Sequence, residues 1–456
     1  MLLKKKKYLT PLLLSSLLTL LACSTDNSTQ NPVDNEPEPT GFEGIVDFVQ
    51  TYGGSNEDDA VGVVQSIDGN YVILGSTQSN DGDIVDKTST DSDYWVLKVT
   101  PEGDIVWSKT YGGSSDERAT SISATSDGGF IISGHSRSSD GDVSGNEGFH
   151  DYWILKIDAF GNIQWDRNFG FAGSDQAFKV FETRDGGYFA TGFLDVSASN
   201  GQGNDGRNGG YLHGVGEYWA IKMDASGNRI WRRFFGGTNN DRSYDALQTA
   251  DDGFLLVGAS ESDDFDITDS KGSYDFWAVR LSDAGDLLWT KSFGGSQIDI
   301  GYAVSSTADG NYLMVGDARS DDMDVTNPLG NADAWAVKFD DTGAMMWQKS
   351  FGGSDFESAR SAYRLSDGNY LISGSTRSSN GDVANNNGQN DAWVVIMDDT
   401  GSIIFENTSG GSDLDFANDA IQTNDQKVLV VGNTESNDLD IALNRGNKDF
   451  LLIKIK

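Results

Sequence analysis

The feature that most constrains this chain is a unit of about 58 residues that occurs seven times. Tyr52-Gly53-Gly54-Ser55 returns as Tyr111-Gly112-Gly113-Ser114, Phe235-Gly236-Gly237-Thr238, Phe293-Gly294-Gly295-Ser296, Phe351-Gly352-Gly353-Ser354 and Ser409-Gly410-Gly411-Ser412, with a degenerate copy at Phe169-Gly170. Successive starts lie 59, 58, 66, 58, 58 and 58 residues apart. Each unit holds four short runs rich in β-branched and aromatic residues, separated by Gly, Asn and Asp turns. In the second these are Thr120 to Thr125, Phe130 to Ser133, Tyr152 to Ile157 and Ile163 to Asn168. Such runs predict antiparallel strands, and four per unit at this period predict the blade of a β-propeller.

The two ends of the chain complement each other. The last unit stops at Asp449-Phe450-Leu451-Leu452-Ile453-Lys454-Ile455-Lys456, which matches a third strand and lacks a fourth. Ile45-Val46-Asp47-Phe48-Val49-Gln50-Thr51, ahead of the first Gly-Gly, matches the fourth strand Ile105-Val106-Trp107-Ser108-Lys109-Thr110. An N-terminal strand that completes the C-terminal blade closes a ring and removes the unpaired edges an open array would expose. The expectation is an all-β, seven-bladed propeller over residues 45–456.

The first residues read as an address. Lys4 to Lys7 precede an apolar stretch, Leu9 to Leu21, too short for the roughly 20 residues of a membrane-spanning helix. Leu20-Leu21-Ala22-Cys23 resembles the lipobox of bacterial lipoproteins, which implies a signal peptide over 1–22, lipidation of Cys23 and anchoring at an outer membrane, on its periplasmic or its surface-exposed side. Ser24 is similar to the residue found in the outer-membrane sorting form. Residues 23–44, polar, acidic and carrying Pro32, Pro37 and Pro39, read as a flexible tether.

Composition narrows the functions. The formal charge is -37, from 33 Lys+Arg against 70 Asp+Glu, so a phosphate backbone would be repelled and nucleic acid is not an expected partner. One Cys and three His leave no internal disulfide, no thiolate zinc cage and little imidazole chemistry. His135 and His150 share one unit without a nucleophile or a metal-spaced partner. A monomer is expected.

The hairpin Lys156-Ile157-Asp158-Ala159-Phe160-Gly161-Asn162-Ile163-Gln164-Trp165 is similar to those of pyrroloquinoline-quinone-type propeller repeats. With Asp127-Gly128-Gly129-Phe130-Ile131-Ile132-Ser133-Gly134 and the Gly-Gly-Ser start, it resembles the repeat of bacterial secreted and lipoprotein β-propellers. The resemblance implies the fold and a cell-envelope location, not an activity. The vicinal disulfide of quinoprotein dehydrogenases and the Cys-Tyr crosslink of copper-radical oxidases are impossible here, and the sialidase Asp-box is missing.

Ten of the eleven Trp form pairs twelve residues apart, such as Trp95/Trp107 and Trp277/Trp289, which read as packing between blades. Acids also recur. One follows each Gly-Gly motif: Asp58, Glu117, Asp175, Asp241, Asp299, Glu357 and Asp415. A second precedes each third strand: Asp93, Asp151, Glu217, Asp275, Asp333, Asp391 and Asp449. Six units add Asp81/Asp83, Asp140/Asp142, Asp264/Asp266, Asp322/Asp324, Asn380/Asp382 and Asp438/Asp440 in the loop between strands two and three. Two readings compete: short acids that cap turns by accepting local N–H groups, or oxygen-rich loops that hold calcium through the ten aspartates of the five Asp/Asp pairs in the last set.

A specific ligand site must differ between repeats. The position after the small residue of each first strand does so, running Val61, Thr120, Phe178, Tyr244, Tyr302, Arg360 and Asn418. If it faces the channel, Phe178, Tyr244, Tyr302 and Arg360 form an aromatic arc ending in a cation, suited to stacking on sugars or gripping an anion; the competing reading packs them between blades. The longer third unit adds the Gly/Asn-rich loop Ser197 to Gly216, with Arg207, Tyr211 and His213. The expected role is a lipid-anchored, non-enzymatic binding or scaffolding module for a glycan or protein partner. The alternatives are a glycan-active hydrolase or lyase using top-face carboxylates, and an envelope-assembly scaffold.

Overall fold

A computed structural model describes residues 42–205 and 213–456. The expected signal peptide, Cys23 and all but the last three residues of the expected tether lie outside them. The 28 strands form seven four-stranded antiparallel sheets, and no helix occurs among the described residues. Blade one comprises Asp58–Gln65, Tyr71–Thr77, Asp93–Val99 and Ile105–Tyr111, in that order from the inside out, and the next five blades repeat it. Four strands per unit and seven units are as the repeat predicts.

The seventh sheet runs Asp415–Gln422, Val428–Thr434, Asp449–Ile455 and then Val46–Tyr52. Val46 pairs with Ile455 and Tyr52 with Phe450, so the N-terminal strand supplies the missing outer strand. Just before this strand the backbone N–H of Glu43 donates to Lys456 O at 3.0 Å, and the Phe42 and Phe405 rings meet at 5.0 Å.

Blades press on each other through their second and third strands, every residue of which is buried in blade one, as in the others. That explains why these strands read as continuous apolar runs while outer strands such as Ile105–Tyr111 are only half-covered. The inner member of each Trp pair is core: Trp95, Trp153, Trp219, Trp277 and Trp335 are fully buried. Each meets an aromatic ring of the preceding blade, as in Tyr94–Trp153 at 4.4 Å and Tyr218–Trp277 at 4.5 Å. Across the closing junction the same contact is Phe450–Trp95 at 4.2 Å, so the seam is packed like any other interface. The outer Trp reaches the next blade's turn, with Trp289 Nε1 donating to Asp341 O at 2.9 Å.

Candidate ligand site at the channel mouth

The seven first strands surround the channel, and each carries a β-bulge. Pairing jumps from Ala60 to Gly62 in blade one and from Ser243 to Asp245 in blade four, skipping one residue each time. The skipped residues are Val61, Thr120, Phe178, Tyr244, Tyr302, Arg360 and Asn418, the position singled out by its variation. A bulge re-aims the extra side chain. Here it turns all seven into one cavity of about 370 Å³, lined by residues of every blade. Opposite each bulge the second strand has glycine. A β-carbon on Gly258 would stand 2.7 Å from the Tyr218 hydroxyl of the preceding blade, so this position admits no side chain.

The four residues expected to form an arc are together. The Phe178 and Tyr244 rings meet edge to face at 5.1 Å, and Tyr244 and Tyr302 at 5.3 Å. The Arg360 guanidinium lies 3.9 Å from the centroid of Tyr302. Phe178, Tyr244 and Tyr302 are half-buried and Arg360 is exposed to the channel. Burial pushes the Tyr302 phenol up to about 12. Across the mouth, Thr120 Oγ1 donates to Ala177 O at 2.9 Å, and Asn418 Nδ2 to Ala60 O at 2.8 Å.

Sequence reasoning missed a second layer, one residue further along three of the same strands. Lys179 Nζ lies 3.0 Å from Asp245 Oδ1, with about a third of its side chain still facing the channel. Burial acts to lower the Lys179 pKa, but the charge and hydrogen bond of Asp245 outweigh it and the net shift is upward. Asp245 also accepts the Val304 and Ala246 N–H groups at 3.0 and 2.9 Å. Asp419 accepts those of Val63 and Ala420 at 3.0 and 2.9 Å, and burial raises its pKa to about 6. The signal was present in the sequence, because a lone glycine inside a strand pattern marks a bulge, and a bulge sends consecutive residues towards one side.

The recurrent acids are at the blade junctions. The loop aspartates accept backbone N–H groups of the Gly-Gly motif: Asp81 from Ser55 (2.7 Å), Asp83 from Gly53 (3.1 Å), Asp140 from Ser114 (2.8 Å) and Asp142 from Gly112 (3.2 Å). Asp264 and Asp266 do so from Thr238 and Gly236, Asp322 and Asp324 from Ser296 and Gly294, and Asp438 and Asp440 from Ser412 and Gly410. This is the geometry of turn capping. Among the described residues no group of three or more His, Cys, Asp or Glu is arranged to hold a metal ion.

The other two acid series are buried and face each other across every junction. Asp391 and Asp415 are fully buried, and a β-carbon on Gly410 would stand 2.7 Å from an oxygen of each. Asp391 Oδ2 accepts Asn387 N–H and Asp415 Oδ2 accepts Gly411 N–H, both at 2.7 Å. Asp391 Oδ1 has no hydrogen-bond partner, and neither has the Oδ1 of Asp93, Asp151, Asp275, Asp333 or Asp449. Burial, reinforced by the facing carboxylate, pushes Asp391 up to about 6. Asp175, in the degenerate junction, rises to about 8 through burial.

In the second blade the His135 and His150 rings meet at 4.8 Å, and burial pushes the His135 imidazole down to about 3, so it is neutral. In the third-unit loop, Arg207 and Tyr211 fall outside the described residues; His213 Nδ1 lies 3.2 Å from Glu217 Oε2.

No family model matches the chain, and no curated protein matches it. Solved propellers are similar in fold. The Pan2 WD40 domain of Neurospora crassa is 8% identical, with 91% of this chain and 90% of that one covered and a TM-score of 0.46. Sqt1 from Chaetomium thermophilum is 9% identical over 91% and 100%, at 0.45. The pyrroloquinoline-quinone domain of pyranose dehydrogenase from Coprinopsis cinerea is 10% identical over 90% and 96%, at 0.40.

Proposed function

We propose that this chain is a non-enzymatic binding and scaffolding propeller, held at a bacterial outer membrane or cell surface by a lipid on Cys23, whose channel mouth engages a glycan or protein partner. One observation carries the reading: a ring that repeats its packing seven times varies at the bulge position, and the bulge turns that variation into a single cavity. Binding sites are concave, largely preformed and furnished with a few convergent polar groups, and this mouth offers three aromatic rings, a guanidinium and an amide. The recurrent carboxylates serve a hydrolase or lyase less well. A catalytic pair has to stand apart from its copies, and these bond backbone N–H groups in blade after blade.

Pull-down from intact envelopes, together with a glycan array, tests the proposal using the full chain and its Tyr244→Ala, Tyr302→Ala and Arg360→Ala variants. A partner retained by the parent chain and lost by all three supports it. Partners bound equally by all four proteins would move the site elsewhere. Turnover of a bound glycan, abolished by a single blade-specific Asp→Asn change, would replace the binding role with catalysis.

A further inference from the structure

The charges that line the channel differ in how they are compensated. Lys179 pairs with Asp245 at 3.0 Å, and Asp245 and Asp419 each accept two backbone N–H groups. Arg360 is the exception: it is exposed, its guanidinium rests on Tyr302 at 3.9 Å, and among the described residues no carboxylate oxygen lies within 4.0 Å of it. Asp317 feels the Arg360 charge, but it is buried and its carboxylate accepts Ser358 Oγ–H at 3.1 Å. In a chain with more than twice as many acids as bases, an unpaired arginine aimed into a cavity is a place where a ligand supplies the counter-charge.

We propose that the channel mouth takes a sugar ring bearing a carboxylate, a uronate at the end of a glycan chain, with the carboxylate on Arg360 and the ring against Tyr244 and Phe178. This rests on the binding role proposed above. A guanidinium matches a carboxylate through two parallel N–H donors. A planar monoanion fits better than phosphate or sulfate, because Asp245 and Asp419 lie one layer deeper and, among the described residues, no second unpaired cation lines the cavity. Tyrosine faces suit the C–H surface of a pyranose. Asn418, whose amide nitrogen is engaged by Ala60 O, is left with its oxygen to accept a sugar hydroxyl.

The test is calorimetric titration of the full chain with glucuronate and galacturonate, against glucose, galactose and inorganic phosphate. A uronate is expected to bind at least about tenfold more tightly than its neutral counterpart and than phosphate, and to weaken as salt is raised. Arg360→Ala should bring uronate down to the level of the neutral sugar, and Arg360→Lys should lose about tenfold. Unaltered uronate binding in a control, Asp309→Asn on the opposite face, shows that substitution alone does not cause the loss. Neutral sugars binding as tightly as uronates, phosphate binding more tightly, or an Arg360→Ala variant with parental uronate affinity would each overturn the inference. If no uronate binds while a neutral glycan or protein partner still needs Tyr244 and Tyr302, the inference fails and the binding role stands. If nothing depends on those tyrosines, both fail.

Discussion

The paired acids at the blade junctions predict an unusual pH profile, which the Asp391–Asp415 junction shows in detail. Asp391 is fully buried, its Oδ1 is unpartnered, and the charged groups that face it are Asp415 and Asp440, with no cation among them. Burial, then those two charges, lift its pKa from 3.8 to about 6. A shift of that size makes the ionised form cost about 3 kcal/mol in the folded state. The folded acid holds its proton more tightly than the unfolded one, so its stabilising contribution is complete below pH 4. It is lost as pH rises from 4 through 6. Asp93, Asp151, Asp275 and Asp449 are raised to the same value, chiefly by burial. These five acids alone should therefore take up on the order of four protons on folding at pH 5. An opposing limb comes from Asp68, Asp127 and Asp185. Burial would raise them, but hydrogen bonds from Lys98, Lys156 and Lys222 and from neighbouring hydroxyls bring them down to about 2. Their contribution is present above pH 4 and is lost towards pH 2. Stability should then peak near pH 4, below the usual range of pH 5 to 8. The assay is the thermal midpoint measured from pH 3 to 8, for the parent and for Asp391→Asn, which mimics the protonated acid and can donate to Asp415. The variant should gain about 1–3 kcal/mol at pH 7.5 and nothing at pH 4. A parental midpoint that stays flat or rises between pH 4 and 7, or a variant gain that is independent of pH, would refute the account of Asp391 as a buried acid that folds protonated.

Three shorter expectations follow from the same geometry. Trp277→Ala empties a fully buried site between blades three and four and should cost about 3–5 kcal/mol in chemical denaturation, whereas Trp289→Ala, on a half-exposed outer strand, should cost less than half of that. Deleting residues 42–52 removes the strand that pairs with Asp449–Ile455 and exposes that buried strand's edge; light scattering should show more self-association than for the intact chain. Because the loop aspartates are engaged by backbone N–H groups, chelator and excess calcium should give the same melting temperature. Calcium bound at ten times its dissociation constant would instead add about 1.4 kcal/mol and raise the midpoint, reviving the calcium reading.

What could be read from the sequence depended on whether a feature repeats. Seven copies of Gly-Gly-Ser, four strands in each and the complementary ends sufficed for the blade count and for ring closure, because each strand's alternation is set locally and the edge problem has one economical solution. The acids were visible as a pattern, but whether they cap turns or face each other depends on which blade's third strand meets which Gly-Gly motif. Asp391 and Asp415 are 24 residues apart in the chain and belong to different sheets. The Phe178–Tyr244–Tyr302–Arg360 arc was legible only as variation at one register. Its direction was set by the bulge, whose mark is the glycine opposite it, such as Gly258. Lys179, Asp245 and Asp419 were hidden because nothing in a linear repeat shows that residues 66 and 174 positions apart share one channel floor.

Repetition also explains why the arc can vary at all. Replacing a buried residue of the second or third strand disturbs a junction that the whole ring needs, whereas the bulge residue has left the ladder and faces open space. Its side chain is free of the constraint that makes the blades alike. Arg360 illustrates the point: within one strand, Glu357 and Ser358 are fully buried, Ala359 is 1% exposed, and the next residue is an exposed cation. Val61 and Thr120 show that apolar and hydroxyl side chains occupy the same position in other blades. A choice that packing does not dictate, made differently in consecutive blades so that three rings and a charge touch, is what a ligand-contacting surface requires. On that argument, exchanging Arg360 for the valine that blade one carries at Val61 should leave the melting temperature within about 1 °C and change only what the channel binds. A large loss of stability would mean that the arc belongs to the packing after all.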